Sequence, residues 1–437
     1  MKKIIKYGLF VLLLPARVAA QGTGLHVLSI NDLFDLAEKN SKTLAISRQN
    51  IEASGQRTEI AKSAKLPEIS AGISAGYIGN ITILNPNFSF NETVPAPHFT
   101  NDYTLEASQV LYSGSSINNN IKKAKLQEQL AGLTYEENRE TIRLLLVGKY
   151  LELYRLFNQK KVYAKNIELA KARLKNIQGL HIEGMVTKND MIRSQLQITD
   201  LDVLAEQVDN NIAIINKELT VTLGLPDGLQ IGVDTTIAAN KLETVNFNEY
   251  LNRAYAFRPA VKANTINESI ADKNISLAKA EKLPKLGLYA GDGLSRPYLN
   301  ILPPQDIYYN VYQAGIRLTY NVSSLYHAKD KIRLAQIERS QQQSYSEQVK
   351  QQAELDVNAA FIKFNEAKTE MVRRQQAQLL ADDNYRIVEK KYLNQLALLT
   401  DILDASSAKL TTELNRANAG INILYQWYAL QKATGKL

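Results

Sequence analysis

The sequence contains no cysteine, and only 11 prolines and 21 glycines in 437 residues. The lack of cysteine excludes disulfide scaffolds, thiol catalysis, zinc ribbons and a lipid-modified N-terminal cysteine. The scarcity of proline and glycine favours long helices, because these two residues are the poorest helix formers. After residue 20 there is no apolar run of about 20 residues, the length that a membrane-spanning helix needs. We therefore expect no helical membrane span in the mature chain.

Motifs for enzyme chemistry are absent from the sequence. The four histidines are scattered and form no HExxH motif, and there is no nucleophile elbow and no phosphate-binding glycine loop. With four methionines and no cysteine, a relay for soft metal ions has no support. The sequence predicts a protein that is not an enzyme and that holds no metal or cofactor.

The positive charge of the chain is small once its N-terminus is set aside. The formal net charge is +8, but four basic residues and no acidic ones lie in the first 20 residues. The remaining 48 basic and 44 acidic residues are spread along predicted helices. This pattern is typical of a solvated surface, so nucleic-acid binding is not expected.

The N-terminus has the three regions of a signal peptide. Three lysines lie within the first six residues, residues 8–14 form a short apolar run, and Val18 and Ala20 supply the small residues before a cleavage site. The alternative, a membrane anchor, is disfavoured because the run is far too short to span a bilayer. We predict that residues 1–20 are a signal peptide cleaved after Ala20.

The chain is internally duplicated. The segment AKSAKLPEI at residues 61–69 returns as AKAEKLPKL at residues 278–286, which is an offset of 217. Further along, the offset becomes 211, so the two halves differ by six residues in one connection, which is predicted to be a loop. The predicted domains are a first repeat at 21–226, a connector at 227–245 and a second repeat at 246–437.

Each repeat begins with a helical pattern, at 29–64 and 246–281, and then changes to the period of a strand. Residues 69–77 alternate apolar with small or polar side chains, as do residues 286–291 and 311–320, while 103–111 is a noisier version. Strands of about ten residues fit tilted spans of a membrane barrel, and a soluble sheet with one wet face alternates in the same way. Tyrosines at strand ends and long connections at 80–101 and 292–307 favour the membrane reading.

Very long helices follow each pair of strands. Residues 325–391 contain neither proline nor glycine, and 115–180 is the counterpart in the first repeat. Each is predicted to turn and return as a second helix, at 187–223 and 398–434. Their apolar stripes are narrow, as in a coiled-coil seam. A rod-like helical bundle would share this pattern, but it does not explain the strands or the duplication.

Four strands are too few to close a barrel, because small barrels need about eight. Open sheet edges are excluded from a bilayer because their unpaired backbone groups are too costly there. The sequence therefore predicts a mixed α and β fold. Several copies would share one transmembrane antiparallel β-barrel, with four strands per protomer, that continues into a long-helix coiled-coil α-barrel.

The ordered set of motifs resembles the TolC-like outer membrane efflux protein family over essentially the whole mature chain. The junction Ala-Lys-x-x-Lys-Leu-Pro occurs twice, and residues 392–405 resemble the family's Tyr-x-x-Gly-x-x-x-x-x-Asp-Val-Leu-Asp-Ala turn. Residues 181–190 are its version in the first repeat. The sequence departs from the family pattern at Gln395, where glycine is usual, and at Ala397, which carries no charge.

The resemblance implies a homotrimer with a twelve-stranded barrel in the outer membrane and helices that extend into the periplasm. It implies a passive exit duct of a tripartite efflux or secretion system. Its expected partners are a periplasmic membrane-fusion adaptor, an inner-membrane transporter of the RND or ABC type, and outer membrane lipid. Multidrug export and type I secretion both fit this expectation, and the exported substrate is left open.

The resemblance also implies a periplasmic gate. Its acids fall on Asp401 and Asp404, which are spaced i, i+3 on one helix face, with Asp190 retained in the first repeat. Three-fold symmetry would gather these carboxylates near one axis, where such a ring attracts cations. The alternative is that the acids only favour a helix N-terminus.

The resemblance places adaptor docking at the two turns, on Gly184, Met185 and Val186 and on Leu396 and Ala397, although such residues also serve as ordinary turn and core positions. Glu106 and Arg317 are predicted to face the lumen from the strands. The competing functions are a periplasmic coiled-coil structural protein without a pore and an adaptor protein. An adaptor would need a dense run of short strands, which the sequence lacks.

Overall fold

The computed structural model describes residues 25–226, 228–234, 242 and 245–437. The predicted signal peptide lies outside the described residues, as does much of the predicted connector at 227–245. By internal contacts the chain divides into two compact units. One holds the described residues up to Leu36 together with residues 149–234, and the other holds residues 37–148 together with those from 242 to Leu437. The boundaries of the two sequence repeats stay a prediction.

Helices make up most of the chain. Their bounds are α1 (Ile30–Asn40), α2 (Lys42–Ser63), α3 (Ser116–Ile182), α4 (Lys188–Thr222), α5 (Phe247–Phe257), α6 (Pro259–Ala280), α7 (Ser324–Leu393) and α8 (Leu399–Ala433).

The helical patterns predicted at 29–64 and 246–281 each fold as two helices. The first break is at Ser41, whose extended backbone (ψ 122°) places its side chain to cap α2 through the Leu44 N–H. The second break is at Arg258, which is also extended (ψ 122°) because Pro259 follows it. Pro259 then occupies the first turn of α6, where its missing N–H costs nothing.

The long helices lie where the sequence predicts them. Helix α7 runs for 70 residues without a break, which corresponds to about 105 Å at 1.5 Å per residue. It pairs with α6 through Arg339–Asp272 (3.2 Å) and Lys331–Glu281 (2.6 Å). These exposed ion pairs each contribute little stability; the apolar contacts of the helices carry most of the packing.

Eight strands are described: β1 (Leu25–Leu28), β2 (Glu68–Tyr77), β3 (Ile81–Leu84), β4 (Phe90–Val94), β5 (Phe99–Tyr112), β6 (Gln230–Val233), β7 (Lys285–Arg296) and β8 (Tyr309–Thr319). The four strands that the sequence alternation predicts form one antiparallel sheet in the order β2-β5-β7-β8. The connection at 80–101 contains no helix, as expected, but it does contain the antiparallel hairpin β3–β4.

Each unit has its own core. In the first unit β1 pairs in parallel with β6. The Tyr150 hydroxyl donates to the Leu28 carbonyl (2.5 Å) and accepts from the Asp234 N–H (2.8 Å), which ties both strands to α3. In the second unit a buried cluster joins α5, α7 and α8, and it contains Tyr250, Ala254, Val357, Phe364 and Leu430.

Candidate functional site: the two hairpin turns and the four-stranded sheet

The first hairpin turn connects α3 to α4 and is closed by a glycine. Gly184 has a left-handed backbone (φ 75°). The Met185 N–H donates to the Leu180 carbonyl (2.8 Å), and the Gly184 N–H donates to the His181 carbonyl (3.0 Å). This is the Schellman pattern of helix ends, in which glycine adopts the positive φ without a Cβ penalty.

Helix α4 then begins with a complete capping box. The Asp190 carboxylate accepts from the Thr187 N–H (2.8 Å) and from the Thr187 hydroxyl (2.7 Å). The Asp190 N–H donates to the Thr187 hydroxyl oxygen (3.3 Å). Asp190, a predicted gate acid, therefore caps its own helix in the single chain.

The second turn connects α7 to α8 and repeats this backbone with different residues. Gln395 takes the left-handed position (φ 61°), and the Leu396 N–H donates to the Lys391 carbonyl (2.8 Å). Because Gln395 carries a Cβ, the left-handed conformation costs about 1–2 kcal/mol there. The predicted departure from glycine is thus accommodated by strain and not by another turn type.

Helix α8 is capped only in part. The Asp401 carboxylate accepts from the Leu398 N–H (2.9 Å), but Leu398 has no side-chain acceptor to return the bond. Asp404 lies one turn further along α8 and is exposed, as is Asp401. The two acids share one face, as the i, i+3 spacing predicts. The structure thus assigns a local capping contact to Asp401 and leaves Asp404 exposed.

Both turns expose apolar side chains. Of the predicted docking residues, Met185 and Leu396 are exposed, as is Gly184, while Val186 and Ala397 are half-buried. The structure adds Ile182 beside the first turn, and Leu393 and Leu398 beside the second. The sequence reasoning missed these three; the available signal was a leucine at 398, where a capping residue is expected.

The four-stranded sheet has one mainly apolar face, which also carries the hydrogen-bonded pair Asp292 and Asn310, and one mainly polar face. Directly paired residues share a face, so the register places Ile73 beside Tyr103 and Leu288 beside Ile316. This apolar face is largely exposed, with Tyr312 at 84%. The opposite face carries mainly small and polar residues, including Ser70, Ser74, Asp102, Thr104, Gly291, Gly293 and Gln313.

Glu106 and Arg317 both lie on the polar face, at different levels of the sheet. Glu106 pairs with Ser70 on one side and Gly291 on the other. Arg317 pairs with Gly287, closer to the ends of the strands that join the helices. Their predicted lumenal role requires only that this face be the inner one.

Among the residues that the structure describes, no helix is both long and apolar enough to cross a bilayer. Within the same residues, no group of three histidine, aspartate or glutamate side chains is arranged to hold a metal ion.

Comparison with known proteins agrees with the geometry. The profile of the family described as outer membrane efflux protein matches residues 250–436, which is nearly all of the predicted second repeat. No curated protein matches the chain.

Similar solved structures extend the likeness to the rest of the chain. One of them is CusC, with a TM-score of 0.79 and 13% identity over 94% of this chain and 93% of that chain. Another is the outer membrane protein VceC of Vibrio cholerae, with a TM-score of 0.75 and 14% identity over 93% of this chain and 96% of that chain. A third is the CmeC outer membrane channel of Campylobacter jejuni, with a TM-score of 0.72 and 15% identity over 93% of this chain and 85% of that chain. At these identities the structures show the fold.

The predicted resemblance to outer membrane efflux proteins is therefore confirmed. The predicted localisation in the outer membrane agrees with the same match, because the family and VceC are both described as outer membrane proteins. The matched family consists of transport proteins and not of enzymes.

Proposed function

We propose that this protein is the outer-membrane exit duct of a tripartite efflux or secretion system. Three copies form a passive channel, through which a periplasmic adaptor and an inner-membrane transporter expel substrates. One observation carries this proposal: the sheet has an exposed apolar face, a polar face and two long unpaired edges.

The free edges call for further strands. Strands β2 and β8 each pair on one side only among the described residues. Each is at least ten residues long, and such an edge leaves a row of backbone donors and acceptors unpaired. In a bilayer these groups must be satisfied by protein. Pairing β8 of one copy with β2 of the next satisfies them, and three copies supply twelve strands.

The apolar belt is slanted across the sheet, as a barrel of tilted strands requires. On β2 it begins at Ile69, whose row continues through Ala107 and Ala290. On β8 it extends to Leu318, which pairs with Leu286, two rows closer to the helices. A flat soluble sheet does not require this offset.

Helix α7 carries a second unpartnered apolar surface. Its exposed residues Ile337, Leu355, Ile362, Leu380 and Ile387 are spaced by 18 or 7 residues, close to whole numbers of helical turns, so they share one face. An apolar stripe that follows a helix over about 75 Å needs a partner helix. A neighbouring copy supplies it in the proposed α-barrel.

The two turns carry the finer roles. Met185 and Leu396, with the smaller residues Gly184, Val186 and Ala397, form the proposed docking tips for the adaptor. Asp401 and Asp404, with Asp190, form the proposed periplasmic gate, because rings of acids are a recurrent device for cation control.

The test is ion conductance of the purified protein in planar bilayers. The proposal predicts discrete channels of one unit size. A periplasmic structural or adaptor protein would give no channels, and that result would reject the duct. Lumen roles for Glu106 and Arg317 are tested in the same recordings by the reversal potential in a salt gradient, which Glu106→Gln shifts toward anions.

A further inference from the structure

The polar face of the sheet holds two unpaired cations side by side near the helix end of the strands. Arg317 on β8 pairs with Gly287 of β7, and Lys285 pairs with Thr319. Arg317 and Lys285 are therefore diagonal neighbours on one face, a spacing of about 7–8 Å between Cα atoms. Both side chains are exposed, and neither makes an ion pair with any residue that the structure describes.

Arg317 is held in place by an aromatic platform. Its guanidinium carbon lies 4.7 Å from the centroid of the Tyr289 ring, within the range of a cation–π contact. This contact stabilises the cation without neutralising it and leaves its N–H groups free to donate. A surface arginine without such a platform would sample many rotamers.

A glycine at position 315 makes the platform possible. Tyr289 lies across Gly315, where a Cβ would come within 2.8 Å of the tyrosine hydroxyl oxygen. Any other residue at 315 would push the ring away from Arg317. Gly287, directly opposite Arg317, lies close to β5, and a Cβ there would meet the Gln109 carbonyl oxygen at 3.1 Å.

Within one chain, the acids on the same face are too far away to neutralise this pair. Glu68 lies on β2, three strands from β8, which is about 14 Å at 4.8 Å per strand. Glu106 pairs with Gly291, four residues along β7 from Gly287, which is about 13 Å. Two like charges on diagonal positions repel each other, and an anion between them would relieve this repulsion.

We propose that Arg317 and Lys285, with Tyr289 as the positioning residue, form a binding site for anionic groups, carboxylate or phosphate, on the polar face of the sheet. The inference rests on the proposed function for its location in a lumen, where three copies would form a ring of six cations. It deepens that function by assigning anionic solutes as a class that the duct favours at this level.

The experiment measures binding of inorganic phosphate to the purified protein in detergent, by broadening of the ³¹P signal, and needs no channel activity. We expect the wild type to broaden the signal, and Arg317→Gln with Lys285→Gln to weaken binding about tenfold, the size of one lost charge-assisted hydrogen bond. Tyr289→Phe keeps the platform and should bind as the wild type, whereas Tyr289→Ala should bind more weakly. Lys363→Gln, on the surface of α7, is the matched control and should have no effect.

Three results would overturn the site: no broadening by the wild type, equal broadening by the double variant, or broadening that appears only in Glu68→Gln. The last result would mean that Glu68 of another copy already neutralises Arg317. Bilayer recordings separate this inference from the duct. Phosphate binding without conductance would reject the duct and keep the site, and conductance without phosphate binding would reject the site alone.

Discussion

The two hairpin turns have the same backbone and unlike residues. Gly184 and Gln395 both take a left-handed conformation, at φ 75° and 61°. Thr187 caps α4 with its hydroxyl, while Leu398, at the equivalent position before α8, has no hydroxyl to offer. The shared backbone therefore does not depend on having the best-suited residue at each position.

The difference makes the second turn the less stable of the two. It bears the strain of a non-glycine residue at positive φ and lacks half of a capping box, each worth about 1 kcal/mol. It also carries two acids, Asp401 and Asp404, where the first turn has Asp190 and Arg193. Strain persists at sites that move or bind, which agrees with the proposed gate at this turn.

The largest effect is expected from removing the acids of the second turn. Asp401→Asn with Asp404→Asn should raise single-channel conductance and weaken cation preference, because the ring of carboxylates loses its charge. The measurement is single-channel current and reversal potential in planar bilayers. Asp404→Asn alone is informative because Asp404 has no capping role, unlike Asp401.

The matched control for this change is Glu366→Ala, an exposed acid on α7 that is paired with Lys363. It should leave conductance unchanged. Single-channel behaviour of the double variant identical to that of the wild type would remove Asp401 and Asp404 from the gate.

A second contrast between the repeats concerns Glu140 on α3, which is equivalent to the exposed Gln351 on α7. Burial raises the pKa of Glu140 from its ordinary 4.5 to about 7, with Glu136 adding to the rise and Arg139 opposing it. Above pH 4.5 the unfolded chain releases this proton and the folded chain keeps it. The contribution of Glu140 to the free energy of unfolding is therefore fully present below pH 4.5. It is lost as the pH rises through 7, by up to about 3 kcal/mol.

Glu140→Gln should remove this pH dependence. The measurement is the denaturation midpoint of the protein in detergent at pH 5 and pH 8, for the wild type and the variant. Gln351→Glu, which adds a carboxylate at the exposed equivalent position, should add no pH dependence of its own. An unchanged difference between pH 5 and pH 8 in Glu140→Gln would show that Glu140 is not the buried acid responsible.

Changing the two cap residues should reduce the difference in stability between the turns. Thr187→Ala should destabilise the first turn, and Leu398→Thr should stabilise the second, each by about 1 kcal/mol. Hydrogen exchange at the Asp190 and Asp401 amides measures the local opening, with about a fivefold change expected in opposite directions. If Leu398→Thr gave no added protection, the second turn would not be limited by its missing cap.

The smallest effect is expected from substitutions at the left-handed residue of each turn. Gln395→Gly should relieve the strain and slow exchange at the Leu396 amide, by up to about 1 kcal/mol after glycine's greater freedom in the unfolded chain is counted. Gly184→Ala should do the reverse at the Met185 amide. Faster exchange at Leu396 in Gln395→Gly would mean that the glutamine side chain makes a contact worth more than the strain.

The sequence predicts the periodic parts of this fold well. Alternation over residues 69–77 and 311–320 locates β2 and β8, because side chains on opposite faces of a strand meet different surroundings. The lack of proline and glycine over 325–391 predicts α7 in the same way. The repeated helix-to-strand junctions and turn motifs then indicate the resemblance to outer membrane efflux proteins.

Features set by local competition or by register could not be predicted. The break at Ser41 depends on a cap that competes with continued helix, and hairpin β3–β4 is made of strands too short to show a period. The contact between Arg317 and Tyr289 needs the pairing of β7 with β8, which one sequence does not supply. The same holds for the capping role of Asp401, which depends on the backbone at Leu398.

In the proposed duct one copy provides only part of a barrel wall. The native mass of the protein in mild detergent is the sharpest test of this arrangement. We expect a particle with three times the mass of one chain, which persists when the detergent is exchanged. A folded particle with the mass of a single chain would contradict it, because the edges of β2 and β8 would then have no strand to pair with.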